Sequence, residues 1–311
     1  MGKEKQTGFR TTIGGQALIE GVMMRGPRKT AMSVRKPGGE LQTDIWDNKP
    51  ARIWNKLPIV RGVVNMVTSL VVGYRCLMKS AEISTEGMEE EEPSKLEKWL
   101  EEKLGDKLMK GAMVIASVLG VLLAVLLFMY LPAWLVGLGE GVLPHWSMSL
   151  IEGLIKIGVF LLYMGLIGLM PDMRRLYQYH GAEHKTIACY EAGEELTPEN
   201  IRKYPRFHPR CGTSFIVIAL ILGILIFSVV TWSNALVRTL LKLCLLPIVV
   251  GIAYELIKLA GRYDNLFTRI ISFPGLKIQH LTTREPDDSM IEAAIASMEA
   301  VIPENEGEDR W

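Results

Sequence analysis

Thr213-Ser-Phe-Ile-Val-Ile-Ala-Leu-Ile-Leu-Gly-Ile-Leu-Ile-Phe-Ser-Val-Val-Thr-Trp232 is an apolar run without a charged residue. A helix of roughly 20 such residues crosses a hydrocarbon layer about 30 Å thick, so the stretch predicts a membrane span. Three other runs meet the same requirement, roughly Gly111 to Leu138, Gly153 to Met170 and Leu240 to Ala260. The second is the shortest, and Lys156 near its start can snorkel to the headgroups. The fourth carries Lys242 and Glu255 and is the least conventional. Hydrophobic residues make up 49% of the chain and are gathered into these runs. The fold class expected is an α-helical membrane protein, with about four transmembrane helices between residues 111 and 260 and a small cytosolic α+β N-terminal region.

Charge is sorted by region rather than in excess. Lys+Arg 35 against Asp+Glu 34 gives a net charge of +1, which supplies no overall basic field for nucleic acid. The connection from Gly139 to Glu152 has no Lys or Arg, whereas residues 171–212 carry Arg174, Arg175, Lys185, Arg202, Lys203, Arg206 and Arg210. Basic loops stay inside, so that long loop and both termini are expected to be cytosolic. Met1-Gly-Lys-Glu-Lys-Gln6 has no apolar core, and no cleavable signal peptide is expected. Cys76, Cys189, Cys211 and Cys244 form no CxxC pair and read as reduced thiols.

Residues 1–110 are expected to form the α+β region, with β structure over 8–50. Gln16 to Arg25 reads as a strand, and Pro37-Gly-Gly-Glu40 as a hairpin turn. Gly14-Gly15 offers backbone that can cradle an anion, but without a P-loop lysine it reads as a turn. A helix over 58–82 is interrupted by Arg61, Asn65 and Arg75, which suits a core or interfacial position better than a span. An acidic linker (86–93) and an amphipathic helix (94–110) lead into the first span. The tail, 261–311, carries an amphipathic helix near Asp288 to Val301.

The chemistry sits in the loop before the third span. Tyr179-His-Gly-Ala-Glu-His-Lys185 has the spacing His-x-x-Glu-His, and His208-Pro-Arg-Cys211 follows. On a helix, residues i and i+4 share a face, so His180 and His184 point together with Glu183 beside them. Two imidazoles on one turn with an adjacent carboxylate hold zinc in reversed zincins. His208, Cys211 and Glu255 are the third-ligand candidates, because the topology sets all three at the cytosolic rim. Glu183 is then the general base, or a ligand if the geometry differs. The plain alternative is an amphipathic cytosolic helix whose histidines hydrogen-bond the loop or lipid headgroups, with Glu255 paired to Lys258, Lys242 or a neighbouring arginine. His145 and His280 read as ordinary surface residues.

Gly14-Gly-Gln-Ala-Leu-Ile-Glu-Gly-Val-Met-Met-Arg-Gly-Pro27, the two histidine motifs, Tyr254-Glu255 and Leu281-Thr-Thr-Arg-Glu-Pro286 together resemble the signatures of the YqhQ-like family. The resemblance runs through nearly the whole chain in the same order. It implies a bacterial multi-pass membrane protein with a domain of unknown function, of a group labelled predicted metal-dependent enzymes. The expectation is a plasma-membrane protein that holds a divalent metal, zinc by donor type, and hydrolyses an unnamed substrate. The alternative is a scaffold or assembly factor for a partner membrane protein or the secretion apparatus. It would dock through Arg25, the Gln16–Arg25 strand and Thr282-Thr-Arg-Glu-Pro286. Transport is weaker, since the spans show no inverted repeat.

Overall fold

The computed structural model describes residues 9–50, 53–87, 115, 117–139, 141, 144–227, 234–263, 265–305 and 307–310. Four strands come first: β1 (Gly14–Leu18), β2 (Gly21–Arg25), β3 (Lys29–Arg35) and β4 (Leu41–Asp47). They form an antiparallel meander in sequence order. The expected Pro37–Glu40 hairpin joins β3 to β4, with Gly39 at φ 87°.

The single strand expected over Gln16–Arg25 is instead two. A two-residue turn at Ile19-Glu20 pairs Leu18 with Gly21, and Glu20 takes a left-handed φ of 53°. Neither residue is a habitual turn former, so local chemistry did not announce the break. Tertiary contacts hold it. Arg175 grips both Glu20 carboxylate oxygens, and Tyr179 Oη donates to Oε2 at 3.2 Å.

The helices are α1 (Val60–Ser84), α2 (Ser117–Gly137, with a π-helical turn at Leu126–Tyr130), α3 (His145–Ile167), α4 (Pro171–Glu191) and α5 (Pro198–Ile201). After them come α6 (Gly212–Phe227), α7 (Ala235–Arg262), α8 (Leu266–Thr282) and α9 (Asp288–Glu299). Helix α8 was not foreseen. Among the described residues three helices are long and apolar enough to cross a membrane: Ser117–Gly137, Leu150–Ile167 and Thr239–Arg262. The run expected as the third span is described through Phe227 as the shorter apolar helix α6. The amphipathic helix expected over 94–110 lies outside the described residues, as does most of the acidic linker.

The chain divides into two compact units. The first gathers residues 1–86, 163–223 and 246–311. There both faces of the sheet are covered, which is why β2 is apolar at successive positions. Val22, Met24 and Ala31 face Tyr179, Ala182 and Ile187 of α4 and Met290, Ile291 and Met298 of α9. Met23, Met32 and Val34 face Cys76 and Ile83 of α1. Burying each of the larger side chains contributes about 1.5–3 kcal/mol.

The second unit holds residues 87–162 and 224–245. Lys156 does not snorkel there. Its ammonium sits 2.8 Å from Glu152 Oε1, and Lys242 reaches the same oxygen, with all three side chains buried. An ionisable group in apolar surroundings is costly unless paired, and the pairing accounts for both lysines.

Candidate metal centre

Helix α4 begins at Pro171, where a missing N–H costs nothing, with Asp172 in the positive first turn. It stops at Gly193, φ 75°. Its register places His180, Glu183 and His184 on the side met by two other segments. Residues 282–286 run against α4 because Gly181 has no side chain: a Cβ there would lie 2.0 Å from Arg284 O. Arg284 N donates to Tyr177 O at 2.8 Å, and Thr282 O takes the His180 Nδ1 proton at 2.8 Å. Arg206 O takes that of His184 Nδ1 at 2.7 Å.

A carbonyl oxygen only accepts, so Nδ1 of each imidazole carries a proton and Nε2 is turned inward. His180 Nε2 lies 3.1 Å from Cys211 Sγ. His184 Nε2 is buried without a hydrogen-bond partner among the described residues. Ligating atoms of His180, His184 and Cys211 all lie within 4.8 Å of one another. Around tetrahedral zinc, N and S ligands stand about 3.3–3.8 Å apart by their bond lengths, a spacing that falls between the 3.1 Å of His180 Nε2 to Cys211 Sγ and the 4.8 Å limit of the cluster.

Electrostatics fit the same use. Burial pushes the Cys211 thiol up, but the His180 and His184 imidazoles outweigh it and hold the thiol well below its usual range. Thr213 N–H at the start of α6 adds a donor 3.4 Å from the sulfur. His180 moves the other way: burial lowers it, the Cys211 thiolate raises it, and the outcome is about 9. Glu183 is raised by burial, against the pull of the two imidazoles. Its carboxyl is hydrogen-bonded by the Gly15 backbone, while Oε2 is buried without a partner among the described residues. The Gly14-Gly15 stretch therefore does meet an anion, the protein's own carboxylate. A Cβ on Gly15 would stand 2.9 Å from Glu183 Cγ, and strand pairing across the sheet gave no local sign of that approach.

Two expected ligands fall outside the cluster. His208 is buried, its ring centroid 5.7 Å from that of His184, but its Nε2 faces Glu191 at 3.6 Å. Gln279 clamps the His208 backbone by both N–H and C=O at 2.7 Å, so the residue shapes the turn that delivers Cys211. Glu255 is bound by Arg61, with Nε at 2.7 Å and Nη2 on the other oxygen, and Ile59 N donates at 3.3 Å. Arg61 lies far away in sequence on α1, so its claim on this carboxylate was invisible to a count of span depth. Thr282–Pro286 is not a free docking strip: Thr282 and Thr283 are buried and its backbone is engaged with α4.

Residues 57–304 match a family described as Protein of unknown function (DUF1385). The chain belongs to that family. Uncharacterized protein YqhQ of Bacillus subtilis (strain 168) is 32% identical over 294 residues, 93% of this chain and 92% of its own length. The resemblance read from the motifs is thereby established. No solved structure matches. The matched DUF1385 region takes in His180, Glu183, His184 and Cys211, while Gly15 and the sheet precede it.

Proposed function

We propose that this chain is a multi-pass protein of the bacterial plasma membrane that holds one divalent cation on His180 Nε2, His184 Nε2 and Cys211 Sγ, and that it is a metal-dependent hydrolase. The observation that carries the reading is the convergence of ligating atoms of His180, His184 and Cys211 within 4.8 Å of one another, with His184 Nε2 buried and without a hydrogen-bond partner among the described residues. An orphaned acceptor in such a place costs about 1–3 kcal/mol unless something accepts its lone pair. Two nitrogens and a thiolate suit zinc rather than magnesium or calcium. When bound, such an ion supplies Lewis acidity and brings the pKa of a water near 7. Glu183, one oxygen on Gly15 and Oε2 open, takes a proton at Oε2, and the upward shift that burial gives its carboxyl makes it a stronger base than an ordinary carboxylate. The basic loop carrying the site supports a cytosolic placement.

Elemental analysis of the detergent-purified chain tests this. About one metal per chain is expected, lost in the His180→Ala/His184→Ala double variant; unchanged metal content in that variant overturns it. A second reading rests on burial, since Glu183, His184 and Cys211 are 5%, 1% and 7% exposed. A closed site with Glu183 as fourth ligand would be structural and would suit the scaffold role. Glu183→Gln separates the two: metal affinity holds for a base and drops about tenfold or more for a ligand.

A further inference from the structure

Helix α8 is built inside out. In water a surface helix turns its apolar stripe inward. Here the buried face is Thr268, Ser272, Gly275, Gln279 and Thr282, with Ile278 the one large apolar side chain among them. The outer face presents Leu266, Phe267, Ile270 and Phe273, which are 76%, 56%, 62% and 57% exposed. Helix α1 repeats the inversion. Gly62, Gly73, Cys76, Ser80 and, near its end, Ile83 point inward, and Val67, Leu70, Val71 and Tyr74 point out.

Three features of α8 select lipid over protein as the cover. It begins four residues after Arg262, the last residue of α7, so its first turn starts at the level where that span-length helix ends. It contains no acidic residue, and Lys277 lays its ammonium 5.4 Å from the centroid of the Phe273 ring, the pose of a lysine that follows apolar surface to its edge. The charged side chains it exposes, Arg269 beside Phe267 and Ile270 and then Lys277, are both basic, which suits anionic headgroups at the edge of an apolar face.

We infer that α8 lies in the phospholipid leaflet, with Leu266, Phe267, Ile270 and Phe273 among the acyl chains, and that the metal centre is hung from its opposite face. Thr282 O fixes the His180 ring, and Gln279 clamps the turn leading to Cys211. Nine residues separate Phe273 from Thr282, about 14 Å along the axis. The cluster therefore stands at the membrane surface. The inference rests on the membrane placement proposed above, and not on metal or catalysis.

The test uses the full chain in nanodiscs whose phosphatidylglycerol carries an acyl-chain diazirine, with irradiation and peptide mapping of adducts. Adducts are expected on Leu266–Phe273 within about threefold of the yield on Leu246 and Ile248 of α7. Ile270→Asp with Phe273→Asp should cut α8 labelling about fivefold or more and leave α7 unchanged. Should the double variant not fold, the wild-type map alone decides. Labelled spans with a bare α8 overturn the inference and assign that face to water, a partner or a second copy. Bare spans overturn the membrane placement itself, and the inference with it.

Discussion

His180 and Cys211 share a proton before any ion arrives. The imidazole is held protonated up to about 9, and the thiol is held ionised well below its usual range. An ion needs the Nε2 lone pair and the thiolate together. Where the thiol is already ionised, the ion displaces one proton, that of His180. The sign follows: apparent affinity rises about tenfold per pH unit, 1.36 kcal/mol each, up to roughly pH 9, and levels off above. Calorimetric titration of zinc in buffers of different ionisation enthalpy should report about one proton released per ion at pH 7. Two protons would mean that Cys211 is a thiol in the free site; none would mean that His180 is already neutral there or is not a ligand. At this scale the sequence was legible where spacing on one helix decides geometry, as for His180, Glu183 and His184. It was legible for Cys211 through its place at the mouth of an apolar run. For Glu255 the pairing alternative, a neighbouring arginine, is the one the structure shows, and Arg61 supplies it from α1, which span depth alone does not identify.

Elements meet at this site through missing side chains. Gly181 lets the segment after α8 lie on α4, and that contact turns Thr282 O onto His180. Gly181→Ala should therefore act against its own helix propensity. Alanine favours α4 by about 1 kcal/mol over glycine, yet its Cβ would meet a backbone oxygen that has no rotamer to move. The 282–286 segment must lift, and the histidine loses the acceptor that orients it. Competition with a chromophoric chelator should show metal affinity reduced about 10–100-fold, as for the loss of an outer partner of a ligating histidine. Undiminished affinity would show that the 282–286 segment does not set the imidazole. Element boundaries were legible where turn residues speak locally, as at Gly39 in the Pro37–Glu40 hairpin. They were not at Ile19-Glu20, held from outside by Arg175, nor at α8, whose Pro274 and inverted polarity hide a helix from a search for a buried apolar stripe.

For the whole molecule, the candidate centre ties together segments that the chain keeps apart. Cys211 is 31 residues from His180, and Thr282 is 102 residues away. An ion bound only by the folded form stabilises it by RT ln(1 + [L]/Kd), about 4 kcal/mol at a thousandfold excess over Kd. Its loss should not unfold the unit. The sheet keeps an apolar core on each face, one with α4 and α9 and one with α1, and neither includes a ligand. Opening should be local, confined to elements held by the cluster itself. Hydrogen exchange of the detergent-purified chain, with and without a chelator, should show amides of residues 206–214 and 279–284 exchanging about tenfold faster or more once metal is removed. Ser117–Gly137 and strands β2 and β3 should be unchanged, since their protection comes from apolar burial and ladder hydrogen bonds that no ion touches. Equal acceleration throughout would make the ion a support for the fold at large. No acceleration anywhere would leave the imidazoles and the thiol as a hydrogen-bonded knot that holds its three segments without help.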